Sequence, residues 1–195
     1  MKVIRITLFI TLLAAISYLF GSEYVRQSTA REKEEQSMLW KALEEGNIVS
    51  AVELLQAGVN PNARGNYFLT VLEYAARKGY QEVVAELLRN PIIPLSTEQE
   101  FAAINEAISH NQYEIVKLLL ESGVDPDIQD EIFLYTPLML AIMVNKPAIA
   151  QLFLEYGAKT GVTNIQGQTA LEFARENDAK EIIALIEDFE QKRMA

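Results

Sequence analysis

The chain has no cysteine. That removes disulfides, thiolate zinc sites and cysteine nucleophiles together, and it leaves the redox compartment open. Histidine is nearly absent as well, with His110 alone. A zinc site built on it would need carboxylates from remote parts of the chain, and no ligand spacing points to one. The sequence holds no Gly-x-Ser-x-Gly elbow, no Walker-type lysine loop and no dinucleotide-binding glycine pattern. Asp125, Asp127 and Asp130 lie close together, but without the Gly and closing Glu of a calcium loop. A turn is their expected role. The adjacent Glu44 and Glu45 suit a helix surface, not the separated carboxylates of a glycosidase. No enzyme, metal or cofactor is expected. The rival is an enzyme, or an enzyme's accessory subunit, working through His110, and its replacement by Ala would then abolish activity.

Positive charge is scarce. Seventeen basic residues face 27 acidic ones, a net charge of −10. Nucleic acid is a poor partner for such a surface, because binding it depends on Lys and Arg neutralising phosphates. A basic protein partner is easier to accommodate, although acidity also serves solubility. Glycine and proline number only 9 and 6, and half of the 195 residues are hydrophobic. Such a chain can bury a continuous core and is not disordered.

What is present is organised around residues 102–130. Two apolar-periodic runs, Ile104-Ala107-Ile108 and Tyr113 to Leu120, stand back to back before Gly123 and the turn Asp125-Pro126-Asp127. Short helix, turn, longer helix and Gly-terminated loop make one unit, too small to bury its apolar faces without neighbours. The opening residues Ser37, Thr70, Ala102, Thr136 and Thr169 are spaced by 70 − 37 = 33, 102 − 70 = 32, 136 − 102 = 34 and 169 − 136 = 33. Gly58, Gly123 and Gly157 recur in the same register.

The openings read Thr136-Pro137-Leu138-Met139-Leu140-Ala141, and more weakly Thr70-Val71-Leu72-Glu73-Tyr74-Ala75 and Thr169-Ala170-Leu171-Glu172-Phe173-Ala174. With this period, residues 37–189 resemble ankyrin repeats. The resemblance implies an all-α solenoid of about five helix-turn-helix units with short finger loops. Their expected spans are 37–69, 70–101, 102–135, 136–168 and 169–189. Residues 190–195 then form a polar tail, in keeping with a soluble terminal cap. Trp40 stands where the family usually has a histidine, and is expected to cover the first interface. Asn90-Pro91-Ile92-Ile93-Pro94 replaces a Gly loop and predicts an irregular finger, since proline cannot donate to a ladder.

The N-terminus is of another kind. Lys2 and Arg5 precede fifteen uncharged residues, Ile6 to Phe20. Residues 1–22 are expected to be a hydrophobic helix, acting as a transmembrane anchor or a signal peptide. The small-residue site Ala15-Ile16-Ser17 is mediocre and the apolar run continues beyond it, which favours the anchor. Lys2 and Arg5 stay cytoplasmic, so either reading places the repeats on the extracytoplasmic, periplasmic side, single-pass or free after cleavage. Residues 23–36 lack Pro and Gly and are expected to form a charged helical spacer.

In proteins of the resembled family, partners bind the concave side, made by finger tips and first-helix ends. Carried onto this chain, that implies Tyr67, Arg77, Lys78, His110, Ile132, Tyr135, Met143 and Ile165 as partner-binding candidates. The expectation is a monomeric, non-enzymatic protein-binding module at the cell envelope. One version is an immunity or inhibitor protein that neutralises a basic partner.

Overall fold

A hydroxyl side chain opens most of the two-helix units. The first N–H groups of any helix lack an intrahelical acceptor. Thr70 accepts from the backbone N–H of Glu73, Thr136 from Met139, and Thr169 from Glu172. At Thr70 and Thr169 the glutamate reaches back to the cap's own N–H, closing a capping box. A computed structural model of the chain describes residues 30–62, 68–89 and 95–194. The apolar N-terminal segment 1–22, Tyr67 and Asn90 to Pro94 lie outside the described residues.

Ten helices and no strand occur among the described residues. They are α1 (30–44), α2 (Ile48–Gln56), α3 (Val71–Lys78), α4 (Gln81–Arg89) and α5 (Thr97–Ser109). The chain continues through α6 (Tyr113–Glu121), α7 (Pro137–Met143), α8 (Pro147–Glu155), α9 (Ala170–Glu176) and α10 (Lys180–Met194). Helices α3, α5, α7 and α9 pack in sequence as one layer, and α2, α4, α6, α8 and α10 as the other. Each of α3, α5, α7 and α9 also packs on the second helix of its own unit, as α5 does on α6 and α7 on α8. Neighbour-to-neighbour stacking in two layers is a solenoid.

A left-handed residue makes the turn between the two helices of every unit. The positions are Gly46, Gly79, Asn111, Asn145 and Asp178, with φ between 49° and 75°. Glycine takes this conformation freely, and Asn and Asp are the side chains that tolerate it best. At Gly79 glycine is also needed for space, because an added Cβ would lie 2.5 Å from Oε1 of Gln112.

The core runs unbroken from Leu39 and Leu43 in α1, through Ile104, Leu119 and Phe153, to Ile182 and Ile186 in α10. Trp40 meets Tyr74 edge-on at 5.6 Å, and Tyr80 donates a hydrogen bond to the Leu43 carbonyl, joining the first unit to the second. Pro137 and Pro147 sit in first turns, where their missing N–H has no partner to lose.

Three expected boundaries move. The third unit opens at Ser96, ahead of Ala102, because Ser96 and Gln99 form a reciprocal capping box that Ala102 cannot provide. Helix α1 crosses Ser37 without a break, helped by the Arg31–Glu35 pair at 2.7 Å. Helix α10 continues through the tail, with Phe189 packed on the core and Arg193 lying 5.5 Å over its ring.

Candidate interaction surface

The candidate residues fall into two rows at opposite ends of the first helices. Arg77, Lys78, His110 and Met143 occupy C-terminal ends, whereas Ile132, Tyr135 and Ile165 belong to the fingers that lead into the N-termini. At 1.5 Å per residue, a helix the length of α7 separates the rows by roughly 10 Å.

In the helix-end row, Arg77 is turned to holding the stack together, and Lys78 and His110 are engaged within their own helices. Arg77 donates two hydrogen bonds across to Glu106 on α5, at 2.8 and 3.0 Å. A planar guanidinium meeting a carboxylate in this forked way makes a strong, directional contact. His110 caps α5, its Nδ1 3.0 Å from the Glu106 carbonyl oxygen and 3.5 Å from a Glu106 carboxylate oxygen. Gln112 donates to the Arg77 carbonyl at 3.1 Å. Lys78 lies 5.6 Å over the Tyr74 ring. Met143 is the exception: it is exposed beside Val144.

The finger between the third and fourth units is built around Asp130. Its carboxylate accepts from the backbone N–H groups of Ile132 at 3.0 Å, Phe133 at 2.6 Å and Tyr135 at 3.1 Å. Asp125 accepts from the N–H of Asp127 within a turn, and Asp127 pairs with Lys159 at 3.0 Å. These carboxylates are therefore engaged in loop structure. Gln129 donates to the carbonyls of Leu134 and Thr163, and Ile165 N–H donates to Phe133 at 2.9 Å. Neighbouring fingers are thus hydrogen-bonded to each other.

Tyr135 is half-buried, stacked on Phe133 at 5.7 Å and tilted against Phe173 of α9 at 5.3 Å. It fastens the finger to the next unit. Ile132 is 70% exposed, Ile165 59% and Phe133 51%. Phe133 had no place among the sequence candidates. Its signal was nevertheless present: Ile132-Phe133-Leu134 is an apolar triplet inside a loop, where exposed runs of that length are disfavoured unless functional. Leu134, at φ 55°, completes the triplet in a conformation that bulky side chains rarely adopt.

Among the described residues no group of three or more His, Asp or Glu side chains is placed to hold a metal ion. His110 faces Glu106. The arrangement offers a rigid, partly apolar relief, suited to recognition.

Stacked two-helix units, hydroxyl caps and paired fingers define a repeat solenoid. The chain belongs to the ankyrin-repeat family: the family model for ankyrin repeats (3 copies) matches residues 39–130 and 101–192. It is 31% identical over 122 residues to an ankyrin repeat protein of fowlpox virus, covering 62% of this chain and 28% of that protein. It is 32% identical over 127 residues to a subunit of nuclear factor NF-kappa-B from Gallus gallus, covering 63% and 13%. An ankyrin repeat-containing protein of Treponema pallidum is 27% identical over 133 residues, covering 67% and 44%. The chain thus spans less than half the length of each of these relatives. Ankyrin repeats are in general protein–protein interaction modules, and the family is typically non-enzymatic.

Proposed function

We propose that this chain is a non-enzymatic binding module that holds a partner protein through its finger row, with Ile132, Phe133 and Ile165 as anchors. The observation that supports this reading is the Ile132-Phe133-Leu134 run, held at the outside of a finger by three backbone bonds to Asp130. Fixed, exposed apolar side chains lose little entropy on binding and supply the buried centre of an interface. Met143 extends the surface toward the other ends of the helices. Arg77, bonded to Glu106 of the following unit, contributes by keeping the units in register.

The proposal has a second part, the cell envelope. Basic residues followed by an apolar run at 1–22 support an anchor or a cleaved signal, with the repeats on the extracytoplasmic side. Among the described residues no helix is long and apolar enough to cross a membrane. The intact mass of the mature protein from membrane and soluble fractions tests this part. Full-length protein in the membrane fraction supports an anchor, a shortened soluble product supports a signal, and full-length soluble protein refutes export. The net charge of −10 favours one version of the function, an immunity or inhibitor protein for a basic partner.

Affinity purification of the tagged chain from its native cells tests binding itself. One protein should co-purify in near-stoichiometric amount and fall at least about tenfold with the Ile132→Asp, Ile165→Asp variant, whose folding should be unchanged because both side chains are exposed. A partner retained in full by the variant, or no partner at all, rejects the reading.

A further inference from the structure

Helix α5 departs from its counterparts. It has 13 residues, against 8 in α3 and 7 in both α7 and α9. The Ser96 capping box adds the extra length at the N-terminal end, the end that faces the fingers. There the extension stands opposite residues 129–132 and leaves a groove of about 320 Å³. Its mostly apolar lining includes Phe101, Ala102 and Ile132, and its acidic members are Glu98, Asp130 and Glu131. This volume is near the lower end of the roughly 300–1,000 Å³ that enclose small ligands, enough for one or two large side chains.

The charge around the groove is one-sided. Between Arg89 and Lys146 the sequence has nine carboxylates and a single lysine, Lys117. Lys117 is on α6, where it approaches Glu121 at 3.9 Å. Arg77 neutralises Glu106, and Lys159 neutralises Asp127. Glu98 and Glu131 have no ion pair among the described residues, and no Lys or Arg lines the groove. Further along α5, burial and the neighbouring Asp125 carboxylate push the Glu100 carboxyl above its ordinary range. A low-dielectric wall beside uncompensated carboxylates concentrates negative potential and attracts cations.

We infer that this groove takes a linear segment of the partner protein in which an apolar side chain is flanked by Lys or Arg. The apolar side chain packs against Phe101, Ala102 and Ile132, while the flanking cations meet Glu98 and Glu131. Phosphate-bearing surfaces, whether nucleic acid or anionic membrane, are repelled by the same charges. The inference rests on the binding reading above and names the chemistry of what is bound.

The test is selection of a displayed random library of peptides of about twelve residues on the full chain, followed by anisotropy measurements with the enriched peptides. Enriched sequences should carry an apolar residue between basic ones. Their affinity should fall roughly tenfold or more with Glu98→Lys, Glu131→Lys, and stay unchanged with Glu114→Lys on α6. The milder Glu98→Gln, Glu131→Gln variant, which spares the first turn of α5, should weaken binding less and flatten its salt dependence. Acidic or uncharged peptides, basic peptides that bind the double variants as well as the parent, or no enrichment would each overturn the inference. If that happens while the co-purifying protein is still lost from the Ile132→Asp, Ile165→Asp variant, the groove assignment alone fails. If neither assay shows binding, the binding reading fails with it.

Discussion

Replacing Arg77 with Ala separates a residue that binds a partner from one that joins repeats. The guanidinium makes two bonds to Glu106 across the α3–α5 interface, with side-chain exposures of 31% and 16%. A fully exposed pair would contribute about 0–1 kcal/mol, and a buried one that loses a partner would cost about 3–5 kcal/mol. This half-buried, bidentate pair lies between them, and about 2 kcal/mol is expected from Arg77→Ala. At roughly 2–4 °C per kcal/mol for a domain of this size, Tm should drop by about 4–8 °C. Circular dichroism melts of the parent, Arg77→Met, Glu106→Gln and the double variant give the coupling energy directly, expected at about 1–2 kcal/mol. Arg77→Met keeps most of the stem's packing, so its loss reports on the charge and its bonds. A Tm change under about 1 °C, or coupling below about 0.3 kcal/mol, would refute the structural role of this residue.

Three further perturbations bear on the fold. Gly79→Ala should destabilise more than Gly167→Ala in urea titrations: both have positive φ, costing roughly 1–2 kcal/mol, but only at Gly79 does the new Cβ meet Gln112 and break its bond to Arg77, for about 1 kcal/mol more. Phe153→Ala, at a fully buried centre of the stack, should cost about 3–5 kcal/mol by the same titration. Glu100 carries a raised carboxyl pKa, so the folded state binds its proton more tightly than the unfolded state does. Its contribution to stability is therefore lost as pH rises from the ordinary value of 4.5 through the raised one, and Glu100→Gln should raise Tm at pH 7 with little gain at pH 4.

The period, the threonine caps and the glycine loops were legible because each is a local pattern repeated in register. The opening of α5 was not, since the register pointed to Ala102 while the better cap, Ser96 with Gln99, lies outside it. Asn111, Asn145 and Asp178 take the turn that Gly46 and Gly79 take in the first two units, and no single residue type marks that turn because Gly, Asn and Asp all adopt positive φ. The role of Arg77 depends on a glutamate 29 residues away, and nothing in its own surroundings announces that partner. Tyr135 reads in sequence as an exposed finger aromatic, yet it packs against Phe173 of the following unit. Phe133 takes the exposed place instead. A side chain's direction in a loop follows from the hydrogen bonds that shape the loop, here those of Asp130, and periodicity carries no information about them.

If the finger row is where the partner sits, a probe placed there must touch the partner. Incorporating a photo-crosslinking amino acid at Phe133, and as a control at Glu114 on the opposite layer, tests it in intact cells. One discrete adduct is expected from position 133 and none from 114. Equal adducts from both positions, or an adduct from 114 alone, would contradict it.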